Sequence, residues 1–102
     1  MIKSKEEILT LIKNNQKDIE SFGVKQLGLF GSFVRKQQKS TSDIDLLVEF
    51  YPEKKNFDNL VHLSFLLEML LERHIELVTP ESLSPYIKPN IINEVEYVIS
   101  RS

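Results

Sequence analysis

Apolar positions along this chain change their spacing several times, and each spacing predicts a different element. In "SKEEILTLIKNNQKDIESFG", Ile8, Leu9, Ile12 and Ile19 recur at helical spacing. Ser4 and Glu7 make a capping-box pair at its start, and Gly23 is the expected stop. "VKQLGLF" alternates and then turns apolar, which predicts a strand ending at Gly31. "SFVRKQQKSTS" is polar and reads as a short helix from Ser32 with a loop through Thr41. "DIDLLVEF" predicts a second strand, stopped by Tyr51-Pro52. Residues 57–72 predict a helix with Leu60, Leu63, Leu67 and Leu70 along one stripe. "RHIELVT" predicts a third strand, closed by Thr79-Pro80. A last helix is expected around 82–95, with Pro85 and Pro89 near its start, and 95–99 reads as extended. This order predicts an α/β fold, a small mixed β-sheet flanked by helices, in one domain over residues 1–102.

The composition is that of an ordinary globular chain: 102 residues, 41% hydrophobic and 27% charged. A formal net charge of −2 supplies no basic field, so nucleic acid is not an expected partner, and an anionic ligand must be held locally or through cations. There is no cysteine, hence no disulfide framework. "MIKSKEEILT" lacks the apolar core of a secretion signal, and "LVHLSFLLEMLL" is shorter than the ~20 residues of a membrane span. A cytoplasmic protein without a membrane segment is expected.

The strand "DIDLLVEF" carries the unusual chemistry. Residues two apart on a strand share a face, so Asp43 and Asp45 project together, about 7 Å apart at Cα, with Ile44 on the opposite face. Two ionised carboxylates that close repel, and no lysine or arginine lies two residues away to pair them. A divalent cation is the simpler partner, and an all-oxygen site favours Mg²⁺ or Mn²⁺. Glu76 lies within another apolar strand; should that strand lie beside the first, three carboxylates would meet and could hold two metal ions about 3.5–4 Å apart. Gly31 lets a phosphate approach the backbone, and Ser32 can open a helix whose free N–H groups face an anion. Plainer readings stand beside these. Asp43 could cap the turn after Ser42, Asp45 could face solvent, and Glu76 could be an edge-strand charge that discourages aggregation. Ser32 could be only a helix cap, and Arg35 could contact phosphate or pair with an acidic neighbour.

Taken together, "LFGSFVRKQQKSTSDIDLLV" resembles the signature of the polymerase-beta-like nucleotidyltransferase superfamily: Gly-Ser, a spacer of ten residues, then Asp-apolar-Asp. The short chain looks like the minimal nucleotidyltransferases within it. The resemblance implies the nucleotidyltransferase fold and nucleotidyl transfer from ATP with Mg²⁺, two ions or Mn²⁺ in their place. It implies Gly31 and Ser32, with Arg35, at the nucleotide phosphates, and Asp43, Asp45 and Glu76 as catalytic metal ligands. Many such proteins are antitoxins that neutralise a HEPN-type toxin by moving AMP onto a toxin tyrosine, so a hetero-oligomeric toxin partner is implied. Two positions depart from the pattern. Lys36 stands where glycine often follows the arginine, and is expected to lengthen the short helix. Glu76 stands where aspartate is usual. Two other functions remain open: an antitoxin that blocks its toxin by contact alone, and a nucleotidyltransferase acting on a small molecule or RNA.

Overall fold

The first helix opens at Ser4, whose Oγ accepts the Glu7 N–H at 3.3 Å, one arm of the expected capping box. The computed structural model describes Ile2 and residues 4–101. Helix α1 runs Lys5–Asn14 and α2 runs Gln16–Glu20, where one continuous helix was expected. Asn15 divides them: its side-chain amide donates to the Leu11 carbonyl at 2.8 Å, and its own φ/ψ of −114°/21° leaves the helical region. Asparagine offers the backbone a local alternative to the helical ladder, which explains the break. Gly23, at φ +86°, then turns the chain into β1, Val24–Phe30.

Strand β2 is Ile44–Phe50, α3 is Phe57–Leu71 and β3 is Ile75–Val78. Helix α4 spans Lys88–Glu94, and β4 spans Glu96–Ser100, the extended stretch expected at the end. The last helix is shorter than the expected 82–95. Pro80 instead begins a 3₁₀ turn, Pro80–Ser82, and Pro89 sits in the first turn of α4, where its missing N–H costs nothing. The sheet is mixed, in the order β3-β2-β1-β4. β1 is antiparallel to β2 and β4, while α3 carries the chain over to make β3 parallel to β2.

One sheet face is buried beneath helices. Ile8, Ile12 and Ile19 pack with Leu63, Leu67 and Leu71 onto Leu27, Leu29, Ile44, Leu46, Val48 and Ile99. The α3 stripe is thus rotated slightly from the expected one: Leu71 is fully inside, and Leu60 and Leu70 sit at the margin. Phe57, Phe65 and Met69 face outward on the same helix. Among the described residues, no helix is long and apolar enough to cross a membrane.

The core assignment predicts an asymmetry along α3. Leu67, with no exposed surface, should cost about 2–5 kcal/mol when changed to alanine, through lost burial and the cavity left behind. Phe65→Ala, at a side chain 63% exposed, should stay within about 0.5 kcal/mol. Urea unfolding of both variants checks this; comparable losses would contradict the packing described.

Candidate functional site

Register decides where the acidic residues stand. In the β1–β2 pair, Phe30 lies opposite Asp45, so Asp45 sits beside the end of β1, where Gly31 follows. In the parallel β2–β3 pair, Ile44 lies beside Ile75 and Asp45 beside Glu76. Ile44 and Ile75 are buried on the helix-covered face, so alternation turns Asp45 and Glu76 together onto the opposite face. Asp45 is half-buried and Glu76 exposed. Asp43 precedes β2, exposed, with Oδ1 3.3 Å from His74 Nδ1, a contact that becomes an ion pair when the imidazole is protonated.

Gly31 is buried at φ +82°, the left-handed region. A Cβ there would lie 2.1 Å from Asp45 Oδ2, so only glycine lets the bend and the carboxylate coexist in this arrangement. The bend continues as a 3₁₀ turn, Gly31–Phe33, with Ser32 half-buried at its centre. The short helix expected from Ser32 is therefore one turn beginning at Gly31. Nor does Lys36 lengthen it: Lys36 lies at φ +58°, where a side chain is strained and glycine is not. That geometry gives a physical reason for the glycine often found at this place in the pattern.

Two residues that sequence reasoning passed over organise the site. Glu94, at the end of α4, accepts the Gly31 N–H at Oε2 (2.6 Å) and the Arg35 guanidinium at Oε1 (2.9 Å). Arg35 thus pairs with an acidic neighbour, one of the two options open for it. Arg73 donates to the backbone carbonyls of Ile2, Lys39 and Ser42, and its guanidinium lies 5.3 Å from the Phe33 ring centroid. It fastens the loop before β2, and the turn after Gly31, to the start of β3. Glu94 lies 63 residues from Gly31, and Arg73 lies 31 from Ser42, so no local pattern could have flagged either.

The electrostatics of Asp45 follow from this crowd. Burial, then the charges of Glu76 and Asp43, push its carboxyl up to about 6; Arg35 opposes them and Glu94 adds to them. Among the described residues, no three Asp, Glu or His side chains stand close enough, as they lie, to hold a metal ion. Asp45 and Glu76, in register on one face, do form a pair of hard oxygen donors whose crowded negative charge suits a divalent cation. The residues fit such an ion as a partial ligand set of two.

Comparisons with known proteins identify the family and the fold. The nucleotidyltransferase domain family matches residues 6–98. The protein adenylyltransferase MntA of Thermococcus cleftensis is 38% identical over 94 residues, covering 91% of this chain and 94% of its own. A solved structure described as a minimal nucleotidyltransferase superposes with a TM-score of 0.71 at 25% identity, over 86% of this chain and 93% of that one. The same fold, at 18% identity and a TM-score of 0.63, occurs in a complex from Shewanella oneidensis. That complex joins an MNT antitoxin to a tri-AMPylated HEPN toxin, and the match covers 90% of this chain and 72% of that one.

Proposed function

Because the chain belongs to the nucleotidyltransferase domain family, as a minimal nucleotidyltransferase, we propose that it moves AMP from ATP to a hydroxyl of a partner protein. The observation that carries this reading is the register placing Glu76 beside Asp45, next to the Gly31 bend. Gly31 and Ser32 receive the nucleotide phosphates, because backbone N–H groups at such a bend are anion donors. Arg35 adds a positive charge at the same end of the sheet. Asp45, Glu76 and Asp43 would hold Mg²⁺ or Mn²⁺, as two ions, which would supply Lewis-acid stabilisation at the α-phosphate and offset the charge of the departing pyrophosphate. The acceptor oxygen attacks the α-phosphorus, its proton passes to a base, and the bond to the β-phosphate oxygen breaks.

The acceptor we propose is a tyrosine of a HEPN-type toxin, which makes the protein an antitoxin working in a hetero-oligomer. Three observations support this. The T. cleftensis relative is named for transfer to protein, and the Shewanella complex pairs the same fold with an AMPylated HEPN toxin. Asp45 and Glu76 also lie on the sheet face opposite the helix-covered core, where a folded macromolecule can present a hydroxyl.

A second reading is that of an antitoxin acting by contact alone. It is favoured by the incomplete metal cage and by Glu94 standing on the Gly31 N–H. One experiment separates the two: labelled ATP, Mg²⁺ and the product of the neighbouring gene, as the candidate toxin, are incubated with the protein. Label on the toxin that disappears with Asp43→Ala/Asp45→Ala supports transfer. Neutralisation of the toxin without any label supports blocking.

A further inference from the structure

We infer that Glu94 is a built-in competitor for the triphosphate site: its carboxylate occupies the Gly31 N–H and the Arg35 guanidinium that a phosphate would need, and must leave before nucleotide binds. The inference rests on the reading of the Gly31 bend as a phosphate site. Both Glu94 oxygens are engaged, one by the Gly31 N–H at 2.6 Å and the other by Arg35 Nη1 at 2.9 Å. A phosphate offers the same acceptor chemistry to the same donors, so the two occupants exclude each other.

None of the α4 residues is buried, and Ile92 near its end is exposed; the chain just beyond Glu94 is held by β4, paired to β1 from Glu96. The position is also electrostatically poor for a carboxylate. Glu94 ends a helix, where the macrodipole is negative, and it adds to the crowd of negative charge around Asp45. Its two donors are what hold the carboxylate on the bend. A triphosphate that brings its own cation satisfies those donors and relieves the repulsion. Release of Glu94 frees its side chain from the bend, while β4 keeps the backbone beyond it paired to β1, so nucleotide binding and the Glu94 side-chain position are coupled.

Calorimetric titration with inorganic tripolyphosphate in Mg²⁺ buffer tests the competition without requiring adenine or transfer. Glu94→Ala and Glu94→Gln should both bind it more tightly than the native chain, the alanine variant by about tenfold, equal to about 1.4 kcal/mol. Glu96→Ala removes a charge that pairs with Lys5 away from the bend, and should leave affinity unchanged. Unchanged or weaker binding in Glu94→Ala, equal tightening in Glu96→Ala, or no binding by any variant overturns the inference. Tightening without any labelled AMP ever reaching a toxin leaves the competitor in place and removes the transfer reading instead.

Discussion

Asp45→Asn should sharply lower AMP transfer and at the same time stabilise the fold. Neutralising the side chain removes the carboxylate nearest the Gly31 bend, and loss of one preorganised electrostatic partner typically lowers turnover about 10²–10³-fold. The stability gain comes from the same crowding. The Asp45 carboxyl is raised from 3.8 to about 6 by burial and by Glu76 and Asp43, so its ionised form is disfavoured by folding. For an acid whose folded pKa lies above its unfolded one, the penalty is absent at low pH. It grows between about pH 4 and 6 and is fully present above that window. Asp45→Asn should therefore be more stable at pH 7.5, by about 1–2 kcal/mol once solvent screening of the half-buried site is allowed for. Its advantage should shrink towards pH 4. The native chain adds a catalytic signature: the Mg²⁺ concentration giving half-maximal transfer should climb as pH falls below about 6, where protons compete for Asp45. Melting curves over pH 4–8, with transfer measured at several Mg²⁺ concentrations, check both halves. An Asp45→Asn protein that transfers label as well as the native chain would remove Asp45 from the chemistry.

Gly31→Ala is the second large effect, and it reaches stability and function together. At φ +82° an added Cβ is strained whatever the space, at about 1–2 kcal/mol. Here the space is also taken, by Asp45 Oδ2 at 2.1 Å, Cγ at 2.9 Å and Asp45 Cβ at 3.1 Å. Either the bend opens or the Asp45 side chain rotates off the face it shares with Glu76. The expected result is a loss of about 2–4 kcal/mol and transfer reduced at least about 10²-fold, because small misplacement of reacting groups is costly. Denaturant unfolding together with the labelled-ATP assay measures both. Near-native values for both quantities would show that the bend and the carboxylate are not coupled.

The fold and the site were legible to different depths. The strands "VKQLGLF" and "DIDLLVEF" and the helix over 57–72 declare themselves through period and composition, because which side chains meet the core is a local property of spacing. The break at Asn15 was less visible, since a single side chain-to-backbone hydrogen bond leaves the apolar period around it intact. The true start of α4 was hidden for a related reason: proline is tolerated both at a helix start and in the turn before it.

The sequence by itself determined the chemical content of the site: Gly31-Ser32 following one strand, Asp43 and Asp45 opening the next, and an acidic residue within a third. Strand alternation also settled that Ile44 and Asp45 face opposite ways. Only the tertiary structure decided that Glu76 lies beside Asp45 rather than across the sheet, that Arg73 pins the intervening loop, and that Glu94 reaches the Gly31 N–H. The physical reason is range. Spacing along the chain reports which face a residue takes within its own element, whereas register between strands and contacts across 31 to 63 residues come from packing of the whole core, which no local window contains.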